Sequence, residues 1–278
     1  MKTLLCCIGR RENDYIREFV EYNKVLGFTN ICLYDNNYDG EEDFHDVIGD
    51  YIKDGYVILK DYRNRKVCQL DAYNECYKTY GNEYDWIAFF DFDEFLTLVK
   101  DTNIKDYLSR ECFKNANQIL INWKLYTDND LIYDDGRPCL ERFTTPMDIN
   151  KYVQYGDIKE NLHIKCIVRT KIANVKCESV HYLSAELLEN TTYNNCGTKI
   201  MPGAFQEINY ELSYIKHFFT KTIDEFINNR IKKWVNWDFH NFVFTLNNFF
   251  KVNNLTQEKI NYLIQNGYNV DDLTKQLK

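Results

Sequence analysis

Two aspartates one residue apart, Asp91 and Asp93, close the apolar run Trp86-Ile87-Ala88-Phe89-Phe90. In extended chain, residues two apart share a face, so both carboxylates are expected to point one way while Phe92 turns back into the core. Paired hard oxygens of this kind suit Mg²⁺ or Mn²⁺, which keep open positions for phosphate oxygens. A cation held there neutralises the charge that develops on a diphosphate leaving group without moving a proton. The bland alternative is a pair of acids that solvates a turn. An apolar strand ending in Asp-x-Asp also marks haloacid-dehalogenase-like phosphatases, whose first Asp is the nucleophile. That pattern wants Thr or Val two residues after the second Asp, where this chain has Phe95, and it usually opens its domain, whereas three strand–helix units precede Asp91. A third possibility is a non-catalytic carbohydrate-binding protein that kept the sheet and lost the chemistry, although such a protein has no reason to keep metal ligands.

An apolar run without alternation is the pattern of a strand covered on both faces, as central parallel strands are. The chain before it alternates strand patterns at residues 3–8, 30–34 and 56–60 with helical ones at 14–26, 43–53 and 67–80, each helix closing near a glycine. Such units cross over right-handedly and build a doubly wound α/β sheet that binds ligands beyond the carboxyl ends of its strands. Glu12 and Asp35, just after the first two strands, then fall where a nucleotide's base and ribose would lie, and both accept hydrogen bonds. Glu12 equally suits the first turn of a helix, where the dipole favours an acid. Arg63, Arg65 and Lys66 precede the third helix as candidate phosphate contacts.

From about residue 117 the rhythm changes to strands at 118–123 and 163–169 between polar loops, followed by closing helices at 222–237 and 256–265. Asp128 and Asp130, in the loop after the Trp123 strand, are the candidate catalytic bases for deprotonating an attacking hydroxyl, with Glu178 and Glu186 as alternatives. Trp123, Tyr126 and Tyr133 are candidates for stacking on a sugar. With no repeat, low-complexity tract or linker and only 3 Pro, residues 1–278 read as one domain. Within it, 1–100 is expected to be the nucleotide-binding half, 101–220 the acceptor half and 221–278 the C-terminal helices.

A net charge of −8 argues against a nucleic-acid partner, so an anionic donor calls for a metal or a local basic patch. The 22 Tyr and 18 Phe imply many half-buried rings, which suits ligands with apolar C–H faces such as sugars. The 10 Cys contain no Cys-x-x-Cys pair, and Cys6, Cys7, Cys32, Cys76 and Cys166 sit among apolar residues as small hydrophobes, which points to a reducing, cytoplasmic compartment. No apolar stretch approaches the roughly 20 residues that span a bilayer, so membrane contact is expected to be peripheral at most, for instance through an aromatic, partly cationic helix over 230–251.

Beyond these patterns, the segment Cys7-Ile8-Gly9-Arg10-Arg11-Glu12-Asn13-Asp14-Tyr15 leading into a helix resembles the opening of family 92 and related family 2-like glycosyltransferases of GT-A fold. The likeness stays collinear through Tyr34-Asp35-Asn36-Asn37, Gln69, Asn74-Glu75-Cys76 and Asp91-Phe92-Asp93-Glu94-Phe95. It continues through Trp123, Glu141-Arg142-Phe143, Lys165-Cys166-Ile167-Val168-Arg169, His181 and His217-Phe218-Phe219-Thr220-Lys221-Thr222. Two departures stand out: Tyr38 replaces a usual Ser, and Leu125-Tyr126-Thr127-Asp128-Asn129-Asp130 stands where the family often has Phe-Gly-Ser-Ser-Gly. The resemblance implies a metal-dependent transfer of a hexose, with galactose the family's suggestion, from a UDP-sugar donor to a glycan or lipid-linked saccharide acceptor, with inversion. It implies Mn²⁺ or Mg²⁺ bound by Asp93 and His217, with Asp91 on the metal's water shell or the donor ribose. Gln69 is then a nucleotide contact, and Lys165 and His181 line the sugar pocket.

Overall fold

The computed structural model describes residues 1–148, 160–231 and 245–271. Its contacts fall into two compact units, one of residues 1–124 and 158–217, the other of 125–157 and 218–278.

The first unit carries the sheet. Strands β1 (Thr3–Gly9), β2 (Asn30–Asp35), β3 (Val57–Asp61) and β4 (Trp86–Phe89) are joined by helices α1 (Asn13–Leu26), α2 (His45–Lys53) and α3 (Gln69–Tyr80). They pair in parallel in the order β3-β2-β1-β4. Each element lies within two residues of its expected bounds, because each is a short apolar strand or an amphipathic helix between turn signals. Gly27 ends α1 at φ 96°, a left-handed angle open to glycine, and its N–H closes the last turn on the carbonyls of Asn23 and Lys24. Leu4, Cys6, Cys32 and Tyr34 pack with Ala72, Tyr73 and Cys76 of α3 in one core. All 10 cysteines are unbridged, and those predicted to be small hydrophobes are buried.

Beyond β4 the sheet reverses. Strand β7 (Ile164–Arg169) runs antiparallel to β4, and β6 (Gln118–Leu125) runs antiparallel to β7. Strands β5 (Glu94–Leu98), β8 (Thr192–Asn194) and β9 (Ser213–His217) have no counterpart in the sequence reading; β5 and β9 pair antiparallel, with Glu94 opposite His217. The expected α/β architecture, a mostly parallel sheet flanked by helices, is borne out. The order turns back between β1 and β4, so the chain leaving each strand diverges there and opens a crevice at the carboxyl ends.

The second unit is small and helical. A turn of helix at Ile223–Glu225 runs into a wider turn at Phe226–Ile231, followed by α4 (Leu246–Val252) and α5 (Gln257–Gln265). Ile223, Phe226, Ile227, Phe249, Tyr262 and Leu263 form its core. Buried Arg142 holds Glu225 at 2.9 Å, and Glu225 also closes a capping box with Thr222. Of the expected helices over 222–237 and 230–251, residues 232–237 and 232–244 respectively lie outside the described residues. No helix among the described residues is long and apolar enough to cross a membrane.

Candidate active site

Asp91 and Asp93 do not continue β4 as extended chain. The strand ends at Phe89, and residues 91–94 form a tight turn in which the Glu94 N–H donates to the Asp91 carbonyl at 3.1 Å. The expected side-by-side projection from an extended strand is therefore corrected: a turn gives each carboxylate its own surroundings. Phe92 does return to the core, its ring 4.9 Å from Phe19. Gly9, at the end of β1, makes this possible, since a Cβ there would run into the Phe92 ring.

Asp91 is held on both oxygens. Oδ1 accepts from Gln69 Nε2 at 2.8 Å and from the Tyr73 hydroxyl at 3.2 Å; Oδ2 accepts from Lys165 Nζ at 2.7 Å. Gln69 and Tyr73 stand one turn apart on α3 and so reach the same carboxylate. Lys165 is fully buried on β7, with Glu94 Oε2 at 3.6 Å on its other side. Burial opposes charge on Lys165, but the neighbouring Asp91 and Glu94 carboxylates outweigh it and raise its pKa. Burial pushes the Glu94 carboxyl well above the usual carboxylate range, so the Lys165 ammonium is balanced chiefly by Asp91. Glu94 Oε2 in turn accepts the Asp91 N–H at 2.9 Å, tying the turn to itself. Lys165 thus serves the turn from within the sheet.

Asp93 meets the end of β9. Its Oδ2 lies 3.5 Å from His217 Nε2, and both residues are buried. The Trp123 ring packs tilted against His217, with centroids 4.2 Å apart. Among the described residues no three His, Cys, Asp or Glu side chains are gathered as a ready cation site. The donor chemistry of Asp93 and His217 nevertheless fits Mn²⁺ or Mg²⁺: one carboxylate oxygen and one imidazole nitrogen face each other closely enough to share an ion, and phosphate and water oxygens complete such shells. Asp91 fits an inner-sphere role less well, because its carboxylate already accepts three hydrogen bonds, one from an ammonium.

Two more histidines join Trp123. His163 lies 4.8 Å and His181 5.4 Å from it, ring to ring, and 4.8 Å from each other. His163 was missed by the sequence reading; it lies two residues before Lys165, on the same face by strand alternation, and that spacing was the available signal. Tyr73 and Glu94 were missed as well, although one stands a helical turn after Gln69 and the other directly follows Asp93.

At the carboxyl end of β2, Asp35 is an internal tie. Its Oδ1 accepts the N–H and side-chain amide of Asn37 at 2.9 and 2.8 Å, and its Oδ2 accepts from Arg63 at 2.8 Å. Arg63 also donates to the carbonyls of Glu42 and Tyr38, so it braces the loop. Arg65 is exposed and lies over the Tyr62 ring at 3.9 Å. Glu12 occupies the N-cap position of α1 with no capping bond from its side chain. Arg10 and Arg11 both grip Glu41, whose carboxyl is lowered to about 2, first by the bond from Arg10.

Asp128 and Asp130 lie in the second unit. Asp128 is buried 2.6 Å from Lys259 Nζ, while Asp130 is half exposed at 2.9 Å from the same fully buried ammonium. Asn129 and Asp130 take φ of 50° and 60°. They line a cavity of about 290 Å³ with Thr127, Thr145, Pro146 and Asn254.

Against known proteins, the model of glycosyltransferase family 92 matches residues 2–243. A family 92 glycosyltransferase of Ricinus communis is 25% identical over 113 residues, 41% of this chain and 20% of that protein. The chain's match thus spans about a fifth of the length of that curated relative. Among solved structures, TarS 1–349 of S. aureus is similar at 13% identity with a TM-score of 0.42, over 86% of this chain and 67% of that one. The same protein in complex with UDP-GlcNAc gives 12% and 0.42 over 86% and 68%. GalNAc-T7 with UDP, GalNAc and Mn²⁺ gives 12% and 0.29 over 46% and 23%. The sequence match to the family runs from β1 past His217 over most of the chain, and this chain belongs to glycosyltransferase family 92.

Proposed function

We propose that this chain transfers a hexose from a UDP-sugar to a glycan or lipid-linked saccharide, with inversion, at the crevice beyond β1 and β4. The observation that carries this is the Asp93–His217 pair, 3.5 Å apart at the mouth of the sheet, in a family of glycosyltransferases. Asp93 and His217 would hold Mn²⁺ or Mg²⁺, which supplies positive charge to the departing diphosphate. Asp91, clamped by Gln69, Tyr73 and Lys165, positions the turn that presents Asp93, and its accessible edge is placed to accept a ribose hydroxyl. Glu12 and the exposed Arg65 are the base-side and phosphate-side candidates. Asp130 is the better candidate base for the acceptor hydroxyl, because Asp128 is buried against Lys259. We also keep residues 1–278 as one functional domain and a cytoplasmic site of action as parts of the same proposal.

The phosphatase alternative needs Asp91 as a nucleophile, and three hydrogen bonds on its two oxygens disfavour attack. In the direct test, UDP-galactose and other UDP-hexoses raise the melting temperature of the wild-type chain with Mn²⁺ and fail to do so with a chelator or in Asp93→Ala. An equal shift without metal, or in Asp93→Ala, would overturn the proposal.

A further inference from the structure

Three of the chain's five histidines sit in one cluster of tilted rings around Trp123; His217 and His181 were singled out above, and His163 was not. His163 occupies the middle of this stack: besides Trp123 and His181 it touches Phe205, ring centroids 4.3 Å apart. Phe205 is half exposed, so the stack runs from the buried Asp93–His217 pair out to solvent.

The polar edges of the stack point to a ligand. His181 Nδ1 lies 2.9 Å from the Ile164 carbonyl and so must carry its hydrogen there, which leaves Nε2 as a lone-pair acceptor. Trp123 Nε1, a donor, and His163 Nδ1 are buried with no hydrogen-bond partner among the described residues. Buried polar atoms without partners are costly and uncommon in a finished core. An apolar ring surface edged with one fixed acceptor and further polar atoms is complementary to a pyranose, which offers C–H bonds on one face and hydroxyls around its rim. Burial lowers both His163 and His181 to about 4, so both rings are uncharged at neutral pH and match an uncharged sugar.

We propose that Trp123, His163, His181 and Phe205 form the wall against which the hexose ring of the donor lies, an assignment that rests on Asp93 and His217 marking the diphosphate side. The wall selects by hydroxyl pattern, and the nucleotide is bound elsewhere. Removing a wall residue therefore removes the contribution of the sugar and leaves that of the nucleotide.

Titration of the full chain with UDP and with UDP-hexoses, in Mn²⁺, reads this directly. Wild type is expected to bind its preferred UDP-hexose about tenfold or more tighter than UDP. His163→Ala should reduce that ratio to near one, with UDP affinity within about twofold of wild type. His163→Phe keeps the stack without the nitrogens and should fall between. A ratio unchanged in His163→Ala, or UDP affinity that falls in step with it, overturns the wall. Saturation-transfer NMR with methyl galactosides and glucosides, without nucleotide, separates the two proposals. If UDP does not bind but the methyl hexoside signal is present in wild type and absent in His163→Ala, the wall stands and the nucleotide reading falls. Loss of neither signal in folded His163→Ala, or no hexoside signal in wild type alongside an unchanged UDP-hexose ratio, sinks the wall itself.

Discussion

Asp91-Phe92-Asp93 and Asp128-Asn129-Asp130 are the same motif with different uses. Each is a turn, and each leans on a fully buried lysine distant in sequence: Lys165 for the first, Lys259 for the second. The difference lies in how many of the turn's own two aspartates the lysine takes. Of its turn's two aspartates Lys165 bonds Asp91, with Glu94 also at 3.6 Å, while Asp93 lies beside His217; Lys259 lies within 2.9 Å of both Asp128 and Asp130. An ammonium shared by both acids cancels much of the field that would attract a cation, and one that bonds a single acid cancels less of the field at the other. The second turn is therefore built for anchoring, with at most the exposed Asp130 edge left for chemistry. In the proposed function the first divides its labour between an anchored acid, Asp91, and a working one, Asp93.

The largest expected effect separates the working acid from the anchored ones. Asp93→Asn should lower transfer by about 10³-fold or more, the scale of losing electrostatic stabilisation at a leaving group, with the melting temperature nearly unchanged. Steady-state rates with UDP-hexose donors beside thermal melts check it, and a loss of under tenfold would put Asp93 among the anchors. Next come the lysines. Lys165→Met and Lys259→Met each strand buried carboxylates and should cost about 3 kcal/mol of stability in denaturant unfolding. The comparison sharpens in binding: folded Lys165→Met should also lose Mn²⁺-dependent UDP affinity, because the turn presenting Asp93 loses its clamp, whereas Lys259→Met should keep it. Equal losses in both variants would mean that the two turns do the same work.

A smaller effect probes the backing of the first turn. In Gly9→Ala the added methyl meets the Phe92 ring, so the ring must move, at a cost of about 1–3 kcal/mol. Since Phe92 lies between the two acids in sequence, the rate should fall with stability, by more than in a surface Gly→Ala such as Gly49→Ala, where no atom lies within 4 Å of the new Cβ. Rates and melts of the two variants side by side decide it.

How much of this was legible in sequence follows from how local each feature is. The parallel half could be read because its strands are short apolar runs and its helices carry amphipathic stripes ended by glycine, signals contained within a dozen residues. Strand β9, Ser-Tyr-Ile-Lys-His, alternates buried and half-buried residues but is only five long, too short for its pattern to stand out. Strand β5 was hidden because Glu94, an apparent turn acid, is a fully buried strand residue whose burial depends on Lys165, 71 positions away. The acids themselves were visible, and their partners were not: Asp91 finds Lys165 across two strands, and Asp128 finds Lys259 on α5. Periodicity places a residue on a face but cannot say which lysine will arrive there.

The last effect concerns acid. His163 and His181, both in the first unit, are lowered to about 4 by burial, against about 6.5 for an exposed imidazole. Between those values the unfolded chain binds protons that the folded chain does not, so stability falls as pH falls from about 6.5 toward 4, and below about 4 these two groups add no further slope. The described part of the second unit contains no histidine, so the imidazole share of this window belongs to the first unit, and the raised Glu94 and Asp128 carboxyls work against it. Unfolding free energy measured in urea at half-unit steps from pH 7 to 4.5 should show the decline, with a falling melting temperature in parallel melts. Removing one imidazole, as in His163→Phe, should reduce proton uptake on unfolding near pH 5 by up to about one proton, whereas Lys259→Met, which acts on the other turn, keeps that uptake and instead pushes the buried Asp128 carboxyl further up. A slope unaffected by His163→Phe would mean that the acid sensitivity arises elsewhere, the Glu41 carboxyl held by Arg10 being the next group to titrate, below about pH 4.5.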